Sequence, residues 1–542
     1  MSLKALIIGL DGTTWNVLTD DVLQTHMPNL WQLRQRGSWG VLNSTIPAVT
    51  PAAWTSCTSG CRPVKHGLLD FQKYRFESNA FTASSSTDVR VPSMWHYLGE
   101  QGYRVASINV PFTYPVYPIN GVMISGLGCP GTSTAFTYPP SFKEKLLSEV
   151  PDYGIALGPE GLNKRNKGMG QTREAFTASI NRLARRFENR LEAARMIQRD
   201  EPVDIMMVQF QQLDLLQHLA WPYVSAQTRD DFPWHRDEIF RLYRRLDELV
   251  GELIGMAHPT DGLIAVVSDH GFGPTPFAVN PNKYLEDWGY IRRLSPLGRL
   301  VRRVRRNVIQ ARIGDTREMT VNLKQPINWS QTRAIVLLRP IYGALYLNVK
   351  GRQPDGYVEP GADYDDIIAD LKARFARIEN PINGEKVFER VVTPMDLWGV
   401  DGVANEIMGD LLLIQKQSYR MSKSLKRNQP GIVEYGLHSM KASWHYTEGT
   451  HILVGKGIKS GQHIQANLID IAPTLYAWLG LPIPAEVDGE PVLDAFVSPP
   501  DVRKETVERF PTTFSQRSIE ETSATAEEEE ALKEQLQNLG YL

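Results

Sequence analysis

Short, largely apolar runs alternate along this chain with longer stretches in which apolar residues recur every three or four positions. Ala5–Leu10 is one such run, ended by Asp11-Gly12. Tyr103–Val110, stopped by Pro111, and Val203–Phe210 are two more, and Leu263–Ser268, ended by Asp269-His270-Gly271, is the clearest. Apolar runs of this length without a polar face predict strands buried on both sides, as in a parallel sheet. His451–Val454, followed by Gly455-Lys456-Gly457, predicts one more strand. Pro28 to Gly37, Ser93 to about Gly102, Gln171 to Asp200, Asp231 to Gly255 and Leu468 to Leu479 read as helices, several of them closed by glycine. Regular exchange of strand and helix predicts an α/β fold, a doubly wound, mostly parallel sheet flanked by helices.

The pattern changes between about residues 280 and 441. Arg292 to Arg312 is rich in arginine, Ala344–Val349 alternates as a strand, Asp363–Ile378 is helical and Leu411–Ile414 is a further strand candidate. This region reads as an insertion or cap on a core made of residues 1–279 and 442–496. Beyond Val497 the chain turns polar, and 497–542 reads as a linker with a short acidic helix opened by Glu527 to Glu530.

Composition narrows the class. With 542 residues the chain has room for a large core, and 42% hydrophobic and 22% charged residues are values of a soluble globular protein. A net charge of −2 argues against a nucleic-acid-binding surface over the whole molecule. Cys57, Cys61 and Cys129 make no disulfide framework and lack zinc-site spacing, so they are expected to be reduced and buried. The apolar run after Met1–Lys4 is too short for a signal peptide, and no run reaches the roughly eighteen apolar residues of a membrane span. A cytoplasmic location is the expectation. The Arg292–Arg312 segment is open to three readings: contact with a membrane surface, a hold on an anionic substrate, or a solvated face.

The candidate chemistry is scattered. Thr50-Pro51 opens a helix-like run that Gly60 closes. Proline suits the first helical position, which puts Thr50 at or near the N-cap. There it either caps the helix or, beside free N–H groups that favour an anion, serves as a nucleophile. Asp11 ends the first strand, Asp214 and His218 are spaced i, i+4 after another, Asp269-His270 ends the strongest, and His445 stands just before the last. In a doubly wound sheet ligands gather beyond the carboxyl ends of the strands, which is where these groups fall. Carboxylates and neutral imidazoles bind zinc, manganese and iron, and two ions about 4 Å apart clamp an in-line displacement.

Gly9-Leu10-Asp11-Gly12, Thr50-Pro51-Ala52-Ala53-Trp54-Thr55-Ser56 with Gly60, His66-Gly67, Asp214 with His218, Ser268-Asp269-His270-Gly271 and His445 together resemble the alkaline phosphatase superfamily. The closest likeness is to its type I phosphodiesterase and nucleotide pyrophosphatase branch, which includes predicted phosphohydrolases and phosphomutases. The resemblance implies that Thr50 is a nucleophile forming a covalent phospho-enzyme. It implies that Asp11, Thr50, Asp269 and His270 hold one divalent ion, and that Asp214, His218 and His445 hold the other, with Zn2+ usual and Mn2+ in mutase branches. His438 and His451 compete with His445, but the family's ligand stands four positions before a glycine that opens an apolar strand, as His445 does before Gly449. One position departs: where the pyrophosphatases carry an asparagine that binds a phosphoryl oxygen, this chain has Phe71, between Asp70 and Gln72. The sulfatase signature is absent. The implied function is hydrolysis of a small phosphorylated substrate, foremost a diester, with a phosphomutase or a non-catalytic binding protein on a relict fold as alternatives. Nothing in the sequence specifies an oligomeric state.

Overall fold

The computed structural model describes residues 2–77, 80–155, 172–258, 260–295, 319–320, 327–339, 341–399, 408–422 and 430–506. The arginine-rich segment from residue 296 onward and the acidic helix expected near Glu527 lie outside them. The described residues form two compact units, one of Met1–Asp70, Ser85–Pro274 and the chain from Leu437, the other of Phe71–Ser84 and Thr275–Gly436.

The first unit is built on one sheet. Its strands are β1 (Ala5–Leu10), β2 (Ser38–Asn43), β3 (Val105–Val110), β4 (Gly121–Ser125), β5 (Thr137–Tyr138), β6 (Ile205–Phe210), β7 (Leu263–Val267), β8 (Glu448–Gly455), β9 (Gln462–His463) and β10 (Ala466–Asn467). They lie in the order β9-β2-β8-β7-β1-β6-β3-β4-β5, with β10 also beside β2. From β7 to β4 every pairing is parallel, whereas β8 runs against both neighbours and β5 against β4. The largely apolar runs are the central strands: β1, β3 and β6 are buried at every position. Such strands need cover on both faces, and helices supply it. Among these are α1 (Pro28–Arg36), α2 (Thr50–Ser59), α3 (Arg173–Asp200), α4 (Gln212–Val224), α5 (Pro233–Ile254) and α6 (Ile471–Trp478). One core cluster takes Ile7, Met207 and Leu453 from the sheet and Trp54, Trp95 and Tyr476 from the helices.

Two local expectations shift. Val49 rather than Thr50 is the N-cap of α2; Thr50 is its first helical residue, Pro51 its second, and no side chain caps the helix. Extended backbone at Val49 (φ −123°, ψ 143°) turns the chain one residue earlier than Pro51 suggests. Arg62-Pro63-Val64-Lys65-His66-Gly67, which the sequence alone marks as a turn, forms a one-turn helix, Pro63–His66. All three cysteines are free and buried.

The largest sheet of the second unit is antiparallel. Ala334–Arg339, Tyr342–Leu347, Leu411–Gln415 and Phe388–Val392 form a four-stranded sheet, in that order. Tyr342–Leu347 is buried at every position, so its alternating sequence does not mark an exposed face. The helix Ala362–Phe375 buries Ile367, Leu371 and Phe375, one stripe at i, i+4 spacing. The hairpin Gln72–Arg75/Ala80–Ala83 belongs to this unit, although it lies within the stretch that reads from sequence as core. No described helix is long and apolar enough to cross a membrane.

Candidate active site

Strand register gathers the scattered residues. Leu10 pairs with Phe210 and Gly9 with Val267, so β1, β6 and β7 end level. The residues that follow, Asp11, the Gln211–Asp214 turn into α4, and Asp269-His270, therefore emerge at one edge. On α4 the i, i+4 spacing puts Asp214 and His218 on one face. His445 arrives from the other direction: Ser443–Tyr446 pairs antiparallel with Gly271–Pro274, and His445 stands opposite Phe272, two residues after His270.

The backbone between these groups is drawn close by Gly12. Its φ is +67°, and a Cβ there would lie 3.0 Å from the Asp214 side chain. Gly12 N–H donates to Asp269 Oδ1 (3.1 Å), and the Gln217 amide on α4 donates to Gly12 O (2.8 Å). Ser44 Oγ donates to Asp269 O (2.5 Å).

Two groups of ligand-type atoms result, each with its members within 4.8 Å of one another: Asp214, His218 and His445; and Asp11, Asp214 and His270. In the first, His218 Nε2 and His445 Nε2 lie 3.4 and 3.3 Å from Asp214 Oδ1 and 2.8 Å from each other. The edge of a nitrogen and oxygen shell around a zinc-like ion is about 3 Å, so this triangle has the size of a coordination face. In the second, His270 Nε2 lies 3.8 Å from Asp11 Oδ1 and 3.4 Å from Asp269 Oδ2. The structure thus brings Asp11, Asp214, His218, Asp269, His270 and His445 together. His438 instead meets Asp231 on the surface (2.7 Å), and His451 is buried within β8. Thr50 is buried at the start of α2. The loop before it meets the cluster, since Ala48 O lies 3.3 Å from His445 Nδ1, and so does the helix after it, where Trp54 Nε1 donates to Asp11 Oδ2 (2.8 Å).

The electrostatics are those of a site awaiting positive charge. Asp11, Asp214 and Asp269 are at most 1% exposed, and among the described residues no lysine or arginine pairs with any of them. Burial, then the charges of Asp269 and Asp214, push the Asp11 carboxyl well above the ordinary range. Burial, with Asp214 adding to it, raises Asp269. Burial lowers His270 and His445 to about 3, with His445 adding to the effect on His270, so both imidazoles are neutral and able to ligate. Asp11 Oδ1, Asp214 Oδ1, Asp269 Oδ2 and His270 Nε2 have no hydrogen-bond partner. Buried atoms of this kind are ordinarily satisfied, and divalent cations satisfy this donor set.

α2 is buried along its whole length despite five Ser and Thr residues. Several hydroxyls bond inward: Thr58 to Trp54 O, Ser59 to Thr55 O, and Ser56 with His66 Nε2 at 2.9 Å. His66 therefore braces the helix. Phe71, at the departing position, is buried, and its side chain carries no amide. Sequence reading passed over Gly12 as a close-approach position and Gln209 as a partner of Asp11; the one signal was the lone polar residue in the run Ile205–Phe210.

No curated protein matches the chain. Among solved structures, an alkaline phosphatase, PafA, superposes with TM-score 0.55 at 15% identity, covering 92% of this chain and 99% of that one. Human ectonucleotide pyrophosphatase/phosphodiesterase 5 gives 0.50 at 11%, covering 91% and 100%. Phosphonoacetate hydrolase from Sinorhizobium meliloti 1021 gives 0.48 at 16%, covering 87% and 94%. At such identities the first two speak for the fold, which is alkaline-phosphatase-like, and the third carries no argument. The sequence model of the family described as type I phosphodiesterase / nucleotide pyrophosphatase matches residues 5–451, most of the chain, and the protein belongs to that family.

Proposed function

We propose that the protein is a two-metal phosphoester hydrolase that cleaves small phosphodiesters through a covalent phospho-Thr50 intermediate. The observation that carries this reading is the set of four buried ligand atoms without a hydrogen-bond partner on Asp11, Asp214, Asp269 and His270, with no lysine or arginine among the described residues to balance the acids. Asp11, Thr50, Asp269 and His270 would hold one ion and Asp214, His218 and His445 the other. Bound divalent ions, of the zinc or manganese type, supply charge neutralisation and lower the pKa of a hydroxyl. Thr50 heads α2, where free N–H groups and the helix dipole favour the charge of a phosphoryl group. Its Oγ forms a bond to phosphorus as the bond to the leaving oxygen breaks; water then attacks the same phosphorus and displaces Oγ. Two in-line displacements give overall retention. Neutral His270 and His445 add no positive charge that would oppose metal loading. Phe71 provides no amide for a phosphoryl oxygen, which favours small diesters over nucleotides. A cytoplasmic location belongs to the same proposal.

The test is turnover of an aryl phosphodiester, an aryl phosphomonoester and a sugar phosphate by the metal-loaded protein. Diester cleavage should dominate, and Thr50→Ala should lower it at least about a thousand-fold even at a metal concentration that keeps both ions bound through the remaining ligands. Unchanged turnover in Thr50→Ala would remove the nucleophile. Sugar-phosphate isomerisation without phosphate release would replace the hydrolase with a mutase.

A further inference from the structure

Asp11 is gripped on one oxygen and bare on the other. Its Oδ2 accepts from Trp54 Nε1 (2.8 Å) and from Gln209 Nε2 (2.7 Å). Its Oδ1 has no hydrogen-bond partner and faces His270 Nε2. Both donors are uncharged. An arginine in their place would fix the carboxylate too, but it would also cancel the charge a cation needs; a neutral donor orients the group and leaves the charge intact.

The surroundings are built to admit both donors. Gln209 is the only side chain of β6 with a hydrogen-bonding amide, in a strand otherwise of Ile, Met, Val and Phe, and it is buried. An amide in such a place is costly unless bonded, and its nitrogen goes to Asp11. Gly9 lies opposite Gln209 across the β1–β6 pair. A Cβ at Gly9 would meet Trp54 Cη2 at 2.7 Å and Gln209 Cγ at 3.2 Å, so the missing side chain is the space both donors use. Trp54 also lies four residues beyond Thr50 on α2, one turn along the same face.

We infer that Trp54 and Gln209 are positioning residues: they occupy Oδ2 so that Asp11 presents Oδ1 alone to a divalent ion, and through Trp54 the same bond fixes the helix that Thr50 heads. The inference rests on the two-metal reading and adds to it which ion depends on which residues. Partners of this kind are worth about ten- to a hundred-fold in metal affinity.

The full chain is loaded with Zn2+ and titrated with a competing chelator, and release is followed for wild type, Gln209→Met and Trp54→Phe. Both replacements remove the N–H donor while keeping a side chain of broadly similar shape, and the melting of each metal-free variant reports whether it folds. Wild type should bind two ions. Each variant should release one of them about ten- to a hundred-fold more readily and the other at the wild-type chelator concentration. Saturating Zn2+ should restore turnover in Gln209→Met and leave kcat reduced in Trp54→Phe, whose helix has lost its tie. Two ions in wild type with release unchanged in both variants would overturn the positioning role and leave the two-metal reading standing. Full restoration of Trp54→Phe by Zn2+ would overturn the link to Thr50. A wild-type protein that binds no ion would overturn both readings together.

Discussion

Asp410 in the second unit and Asp11 in the first are both carboxylates with almost no contact with solvent, at 1% and 0% exposure. Asp410 is fully answered by its own unit. Arg352 reaches it through both terminal nitrogens (2.7 and 2.6 Å), Tyr364 donates at 3.1 Å and the Leu347 N–H at 2.7 Å. Arg352 is itself stacked over Phe76. Asp11 has two neutral donors on one oxygen and nothing on the other, with two further acids beside it. Asp247 stands between these cases: it has no cation, but it caps the start of α1 through the N–H groups of Asn29 and Leu30. Burial of an acid therefore does not mark a functional site. The mark is burial with neither a countercharge nor donors for every oxygen, because that arrangement is unfavourable until something outside the chain completes it.

The sharpest way to break this comparison is to neutralise one acid of each kind. Asp410→Asn should cost about 3 kcal/mol in urea denaturation, since it strands a half-buried guanidinium, and should leave bound metal unchanged. A loss below about 1 kcal/mol would mean that the pair is not structural. Asp214→Asn should act with the opposite sign on the metal-free protein, raising its stability by relieving repulsion among Asp11, Asp214 and Asp269, while abolishing metal uptake. Removal of metal follows in size. Chelation should lower wild-type stability by on the order of 3 kcal/mol when the ion had been present at about a hundred times its Kd, and should leave Asp214→Asn unmoved. Equal shifts in both proteins would place the ion elsewhere.

Bases extend the comparison. His96 stacks on Tyr117 (5.0 Å between centroids), and burial lowers it to about 4. With a folded pKa below the unfolded value, its contribution is complete above about pH 6.5 and is lost as pH falls toward 4. His96→Gln keeps a residue suited to the capping box with Ser93 and does not titrate. Between pH 7 and pH 4 the wild type should lose on the order of 1–3 kcal/mol more stability than the variant, read as the difference in denaturation midpoints. The smallest effect belongs to a solvated pair. Lys372 meets Asp396 at 2.7 Å with both side chains more than 40% exposed, and Lys372→Met should change stability by no more than about 0.5 kcal/mol.

Much of the site could be read before any coordinates. Asp11, Asp269 and His270 follow apolar runs, which makes them strand-end residues; the i, i+4 spacing of Asp214 and His218 needs only a helix; and Gly60 stops α2 with φ +69°. The rest depends on register. That Gln209 faces Gly9, that Gly9 leaves room for Trp54, and that Gly12 lets Asp214 approach are facts about neighbouring strands and loops, with no trace in local spacing. The antiparallel course of β8, which brings His445 in from the opposite direction, is likewise a property of the sheet.

The amino-acid order alone determined the α/β class, the central strands, and the residue types that can ligate a cation. Apolar period and side-chain chemistry are local, and they survive in a list of letters. Tertiary structure decided that six of those side chains share one buried edge, that their charges meet no lysine or arginine among the described residues, and that one oxygen of Asp11 is tied down while the other is left bare. Those are matters of distance between segments up to hundreds of residues apart, and only the pairing of β1 with β6 and β7 brings such segments within a hydrogen bond of each other.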